Sequence, residues 1–153
     1  MTHSPETTLS PAETRDLHRI AGMMLPASEE HGVPGADDPD IFADIVCSLG
    51  RDAAAVRAAL AELAALGAGA FADLDTAGAD GVAASFDASG SDNAATLGRV
   101  ILQCYYRDDR VLRSLGMDPR PPFPKGHVVE QGDWSLLDAV RNRPQSWRDD
   151  RAA

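Results

Sequence analysis

The chain has 153 residues, a formal net charge of −10 and an isoelectric point near 4.6, enough for one domain with its own core and too short for two well-buried ones. Its densest basic group, Arg141, Arg143, Arg148 and Arg151, is interleaved with Asp138, Asp149 and Asp150, which argues against binding a nucleic-acid backbone. Two cysteines, Cys47 and Cys104, rule out a disulfide framework or zinc-finger spacing, and within apolar helical patterns they read as small buried hydrophobes.

Residues 1–9 are polar and are expected to fray. In "LSPAETRDLHRIAGMMLP" Ser10 is an N-cap, Pro11 suits the first helical position and Glu13 completes a capping box. Leu17, Ile20 and Met24 recur at helical spacing until Pro26. After the loop "ASEEHGVPGADDPD", Asp38 and Pro39 start a second helix with Ile41, Phe42, Ile45, Val46 and Leu49 on its apolar face, ending at Gly50. "RDAAAVRAALAELAALG" predicts a third, capped by Asp52, with Val56, Leu60 and Leu63 on one stripe and Gly67 as its stop; its alanines favour helix and close packing. From Gly67 to Gly90, glycines separate Phe71, Leu74, Val82 and Phe86, a pattern that predicts short helical turns rather than one long helix.

Helix signals return at "SDNAATLGRVILQCYY", capped by Ser91 or Asp92, with Leu97, Ile101, Cys104 and Tyr105 on one stripe. Asp108 then caps a short helix that turns Val111, Leu112 and Leu115 inward and stops at Gly116. Beyond Met117, Pro119, Pro121, Pro122 and Pro124 favour an extended course. A short helix is expected again only at "DWSLLDAVRNR", capped by Asp133, with Leu136, Leu137 and Val140 as its apolar face. No run alternates as a sheet strand does. The reading is all-α: a helical bundle over residues 10–116 and an extended proline- and aromatic-rich C-terminal arm over 117–153.

Chemistry is hard to find. There is no phosphate loop, no G-x-S-x-G elbow and no H-E-x-x-H helix, and the glycines of "GAGAFADLDTAGADG" lack the strand–turn–helix context of a dinucleotide site. His3 lies in the fraying terminus, and His18 reads as a partly exposed helical histidine. His31, beside Glu29 and Glu30, is the one candidate for a carboxylate metal site, against which adjacent loop residues rarely converge without a further ligand. Asp37-Asp38, Glu29-Glu30, Asp108-Asp109 and Asp149-Asp150 are adjacent pairs better explained by capping and solubility than by acid–base work. No catalytic, metal or cofactor residue is assigned. The arm is what remains: aromatics on a proline-rich segment have no core periodicity, and Tyr, Trp and Arg are the residue types that carry interface energy. The predicted partner interface is Tyr105, Tyr106, Pro122, Phe123, Pro124, His127, Trp134, Arg141 and Trp147. The alternative is an arm folded back over its own bundle.

Two stretches carry a resemblance. "LSPAETRDLHRIAGMMLPA" and "VILQCYYRDDRVLRSLGMDPRPPFPKGH" resemble the gluconate 2-dehydrogenase subunit 3 family, the small subunits of flavin dehydrogenases. The second is the more specific, with Tyr105-Tyr106, Asp108 or Asp109, Val111, Leu115-Gly116, Pro122, Pro124 and Gly126; "EQGDWSLLDAVRNRPQSWR" is similar to the closing segment of some relatives. The resemblance implies a non-catalytic small subunit, carrying no cofactor, that binds and stabilises a large FAD-dependent partner of the glucose-methanol-choline type oxidising a sugar or related alcohol. It also implies an exported pair, but "MTHSPETTLSPAETRD" has neither signal-peptide regions nor a twin arginine. No apolar run approaches the roughly 18 residues that span a bilayer, so a cytoplasmic location is expected. The rival readings are a self-associating regulatory protein and a stand-alone metal-binding helical protein using His18 and His31.

Overall fold

Five of the described α-helices begin where a side chain accepts a backbone N–H that the first turn leaves unpaired. In the computed structural model, which describes residues 9–120, 126 and 130–144, α1 (Pro11–Met24) opens on a complete capping box: Ser10 Oγ accepts from Glu13 N at 3.2 Å and Ser10 N donates to Glu13 Oε2 at 2.6 Å. Asp38 accepts from Asp40 N to start α2 (Pro39–Cys47), Asp75 from Gly78 N to start α4 (Thr76–Ser89), Ser91 from Ala94 N to start α5 (Asp92–Tyr105), and Asp108 from Arg110 N to start α6 (Asp109–Ser114). Between α2 and α4 lies α3 (Ala53–Leu66), and near the C-terminus α7 (Asp138–Arg141) follows a 3-10 turn at Trp134–Leu137. The fold is helical, with no strand among the described residues. An isolated bridge between Ser28 and Val33 closes the turn after α1.

The chain divides into two units between Pro119 and Arg120. The first contains the core. Leu17 and Ile20 of α1, Ile41 and Ile45 of α2, Val56, Leu60 and Leu63 of α3, and Leu97, Ile101 and Cys104 of α5 are buried together. α3 packs against α1, α4 and α5, with Ala53 and Ala59 buried on its contact faces. Glu62 uses both carboxylate oxygens on the start of α5, accepting from Ser91 Oγ at 2.8 Å and Asn93 Nδ2 at 2.7 Å.

The loop between α3 and α4 is held by α1. Asp16, buried, accepts from Ala72 N at 2.7 Å. One turn on, Arg19 donates to the carbonyls of Ala72, Leu74 and Asp75, and its guanidinium lies 5.6 Å from the centroid of the buried Phe71 ring. Removing either side chain leaves peptide groups of this loop without their partner, a loss of about 1–3 kcal/mol where the group is buried.

Several details correct the expectations from sequence. Residues 76–89 form one helix of 14 residues rather than short turns: Asp75 caps it, Ala79 and Phe86 bury one face with Val82 packed beside them, and Gly90 ends it at φ 60°. Gly78 makes room for the cap, since a Cβ there would sit 2.9 Å from Asp75 Oδ1. Asp52 makes no side-chain cap on α3 and instead pairs with Arg99 at 2.9 Å. α2 ends at Cys47, three residues before the expected Gly50, which opens a 3-10 turn at φ 42°. Cys47 is exposed because the stripe of Ile41 and Ile45 faces away from it, whereas Cys104 is buried. Met24 and Leu115 are exposed, at the ends of the stripes where the neighbouring helices no longer cover them.

α3 ends in a Schellman arrangement: Gly69 N donates to Ala64 O at 3.0 Å and Ala68 N to Ala65 O at 3.4 Å. The left-handed position falls on Ala68, at φ 53°, one residue after the expected glycine stop. An alanine there carries a steric cost that glycine does not. Ala68→Gly is therefore expected to stabilise the fold by about 1 kcal/mol, seen as a rise of about 2–4 °C in the circular-dichroism melting temperature. An unchanged or lowered Tm would contradict this account of the turn.

Candidate functional site

The interface residues expected from the sequence fall into three groups. Tyr105 is a core residue, 6% exposed, whose hydroxyl donates to Pro34 O at 3.1 Å; burial pushes its phenol above the ordinary value. It fastens the loop before α2 to the end of α5. Tyr106, next in sequence, is 48% exposed and meets Tyr105 edge-on, ring centroids 5.3 Å apart. Trp134 and Arg141 belong to the second unit and are exposed. Pro122, Phe123, Pro124, His127 and Trp147 lie outside the described residues.

In the second unit, Asp133 caps the turn, accepting from Ser135 N at 3.0 Å and from Ser135 Oγ at 2.6 Å, bonds that hold its carboxyl below the usual carboxylate range. The turn runs directly into α7, which carries an Arg141–Asp138 pair at 3.5 Å. Every residue of 130–144 is exposed. Trp134 is 62% and Leu136 75% open to solvent, and Leu137 and Val140 join them. Among the described residues, the indole Nε1 donates to Gln131 Oε1 alone, at 3.4 Å. A Trp, two Leu and a Val within seven residues thus remain uncovered by this segment itself, an arrangement typical of an interaction surface rather than of a solvated helix.

On the first unit, an apolar groove of about 810 Å³ runs between α1, α4 and α5. Ile20, Phe86 and Leu97 form its floor, and Met23, Met24 and Leu102 its flanks. Gly98, in the interior of α5, opens the wall. The α4 rim carries Asp80 and Asp87, the α5 rim Arg99 and Gln103. None of these residues was expected as a site. The only sequence signal for it was a glycine inside an otherwise strong amphipathic helix.

The polar clusters elsewhere are structural. Arg110 reaches Asp38 through Nη1 at 3.1 Å and Nη2 at 2.7 Å, and Asp108 through Nε and Nη2, both at 3.0 Å. The two carboxylates are the caps of α2 and α6, so one guanidinium ties two helix starts. Its hydrogen bonds hold both carboxyls below the usual carboxylate range and raise its own value. Arg107 bonds Asp44 of α2 and Ser48 just past its end, beside Cys104, whose thiol burial pushes up, away from the reactive thiolate. His18 donates from Nε2 to Asp37 O at 3.1 Å and packs edge-on against Phe42. His31 sits in the exposed turn after α1. Among the described residues no three His, Cys, Asp or Glu side chains are placed to hold a metal, and no helix is long and apolar enough to cross a membrane.

Comparison with family models, with curated proteins and with solved structures returns no match for the chain.

The Arg110 cluster sets a pH dependence. Asp38 and Asp108 have folded pKa values below their unfolded ones, so their stabilisation is complete above the unfolded value, about 4, and is lost as pH falls through the depressed folded values. Arg110→Ala should lower the Tm at pH 7, and the gap to the parent chain should narrow as pH falls below about 4 and through the depressed folded values of the two carboxyls. Melting curves from neutral pH down into the acid range check this, and a gap that does not narrow toward the acid end would assign the loss to packing instead.

Proposed function

We propose that this chain is a non-catalytic, protein-binding small subunit whose C-terminal segment grips a large FAD-dependent oxidoreductase of the glucose-methanol-choline type, acting on a sugar or related alcohol. The observation that carries the binding role is the uncovered row of Trp134, Leu136, Leu137 and Val140, presented on a capped turn-helix with no buried residue of its own. The class of partner is supported by the resemblance of Tyr105-Tyr106 through Gly126, and of the segment around Trp134, to the gluconate 2-dehydrogenase subunit 3 family.

The chemistry divides accordingly. A flavin needs a dinucleotide-binding sheet and an enclosed site, and the small subunit leaves both to its partner; a flavin bound there would supply the hydride acceptor for the substrate. The small subunit contributes affinity and stability. Large aromatic and aliphatic side chains that leave water on binding supply most of an interface's energy, and any partner that binds only the folded large subunit raises that subunit's stability by mass action.

Co-expression of the tagged chain with the large flavoprotein encoded nearest to it tests the reading. A stoichiometric yellow complex with a flavin absorption spectrum is the expected outcome, and Trp134→Ala combined with Leu137→Ser should weaken it about thirtyfold or more, the loss of one interface anchor of about 2 kcal/mol. The helical signal of the isolated double variant should match the parent, because neither residue belongs to the core. A colourless chain recovered alone, or as a homodimer, would overturn the proposal.

A further inference from the structure

We infer that the groove between α1, α4 and α5 is a second docking site, shaped for an amphipathic helix of another protein that is apolar along one side and carries two basic residues two turns apart. The site is built from different residues than the exposed row at 134–140, and the inference does not depend on which protein that row holds.

The first observation is the unpartnered apolar surface. Met24 and Leu102 are each 39% exposed where they flank the groove, over a floor of buried Ile20, Phe86 and Leu97. Methionine is unbranched and polarizable, so Met23 and Met24 can reshape around an incoming side chain. Helix-in-groove recognition uses such a surface, with anchors at positions i, i+3 or i+4, and i+7.

The second is Gly98. Glycine inside a helix costs about 1 kcal/mol relative to alanine, and here nothing internal requires it: a Cβ at this position would lie 3.6 Å from Met24 Cε, an ordinary contact. What the missing side chain provides is depth on the side of the groove that a ligand would enter.

The third is charge. Asp80 and Asp87 stand seven residues apart on α4, two turns or about 10.5 Å along one face, and both are exposed with no carboxylate partner among the described residues. The cation on the opposite rim is already neutralised: Arg99 pairs with Asp52 at 2.9 Å and donates to Gln103 at 3.3 Å. The rim is therefore acidic, and basic residues at i and i+7 of a docked helix would meet both carboxylates in register. The same charge disfavours a fatty acid or an acidic helix, and a chain with a net charge of −10 disfavours a second copy of itself.

The test uses the full chain and three fluorescein-labelled 18-residue helical peptides, with binding read by fluorescence anisotropy. One has Leu at i, i+3 and i+7 flanked by Arg seven residues apart, one has Glu in place of Arg, and one has the leucines scrambled off the single face. The basic amphipathic peptide should bind, the acidic one about tenfold more weakly or worse, as two surface ion pairs dictate, and the scrambled one not measurably. Asp80→Lys with Asp87→Lys should reverse the preference between the basic and acidic peptides. Gly98→Leu, which fills the groove, should abolish binding, while Gly98→Ala keeps it, and an unchanged helical signal in both excludes misfolding. Failure of all three peptides to bind, or equal binding to the parent and Gly98→Leu chains, would overturn the inference. So would displacement of the basic peptide by laurate, or a dimer in light scattering that Gly98→Leu returns to monomer, since these outcomes assign the groove to a lipid or to a second copy.

Discussion

α3 is the constraint on which the bundle depends, and it acts through its small residues and its two charged ones. Buried Ala53 and Ala59 allow neighbouring backbones to come close, while Val56, Leu60 and Leu63 fill the space between. Arg57 lies 3.6 Å from Glu13, the carboxylate of the α1 capping box, and Glu62 holds Ser91 and Asn93 at the start of α5. The central helix thus fixes where two of its neighbours begin as well as how closely they pack. Enlarging Ala59 would force those helices apart, and overpacking of this kind typically costs about 1–3 kcal/mol.

Around that centre, the loops are fastened by side chains that reach backbone groups rather than by apolar contact alone. Asp16 and Arg19 together occupy the peptide groups of Ala72, Leu74 and Asp75, and Tyr105 occupies that of Pro34. Gly22 serves the same end on α1: a Cβ there would come within 2.9 Å of the Asp37 carboxylate, so the glycine lets the loop before α2 lie against the helix. Each fastening joins residues far apart in sequence, and this gives the loops of the first unit defined positions despite their glycine content.

Local signals in the sequence revealed the caps and stripes. Ser10, Asp38, Ser91 and Asp108 stand where their side chains accept a first-turn N–H, and the buried faces of α3 and α5 follow the helical period. What could not be read depended on tertiary neighbours. The glycines of α4 suggested a broken segment, yet Asp75 and Gly90 bound a complete helix whose burial comes from α3 and α5. Asp52 has the right residue type for a cap, but the guanidinium of Arg99 competes for it. For the candidate site, aromatic content alone could not separate Tyr105, anchored inward, from Tyr106 and Trp134, turned to solvent. The groove was illegible for the same reason: it exists only where α1 and the consecutive helices α4 and α5 leave a gap between them.

The two cysteines sit in opposite surroundings: Cys47 is open to solvent at the end of α2, and Cys104 is enclosed beside Asp44 and Arg107 with a thiol that burial keeps protonated. Alkylating reagents require an accessible thiolate. The exposed thiol is therefore accessible to such reagents in the folded protein as it stands, and the other becomes available only when α5 parts from α2. The chain carries a built-in pair of chemical clocks, one set by the surface and the other by the opening of its own core, and their ratio measures how often that core breathes without any added label.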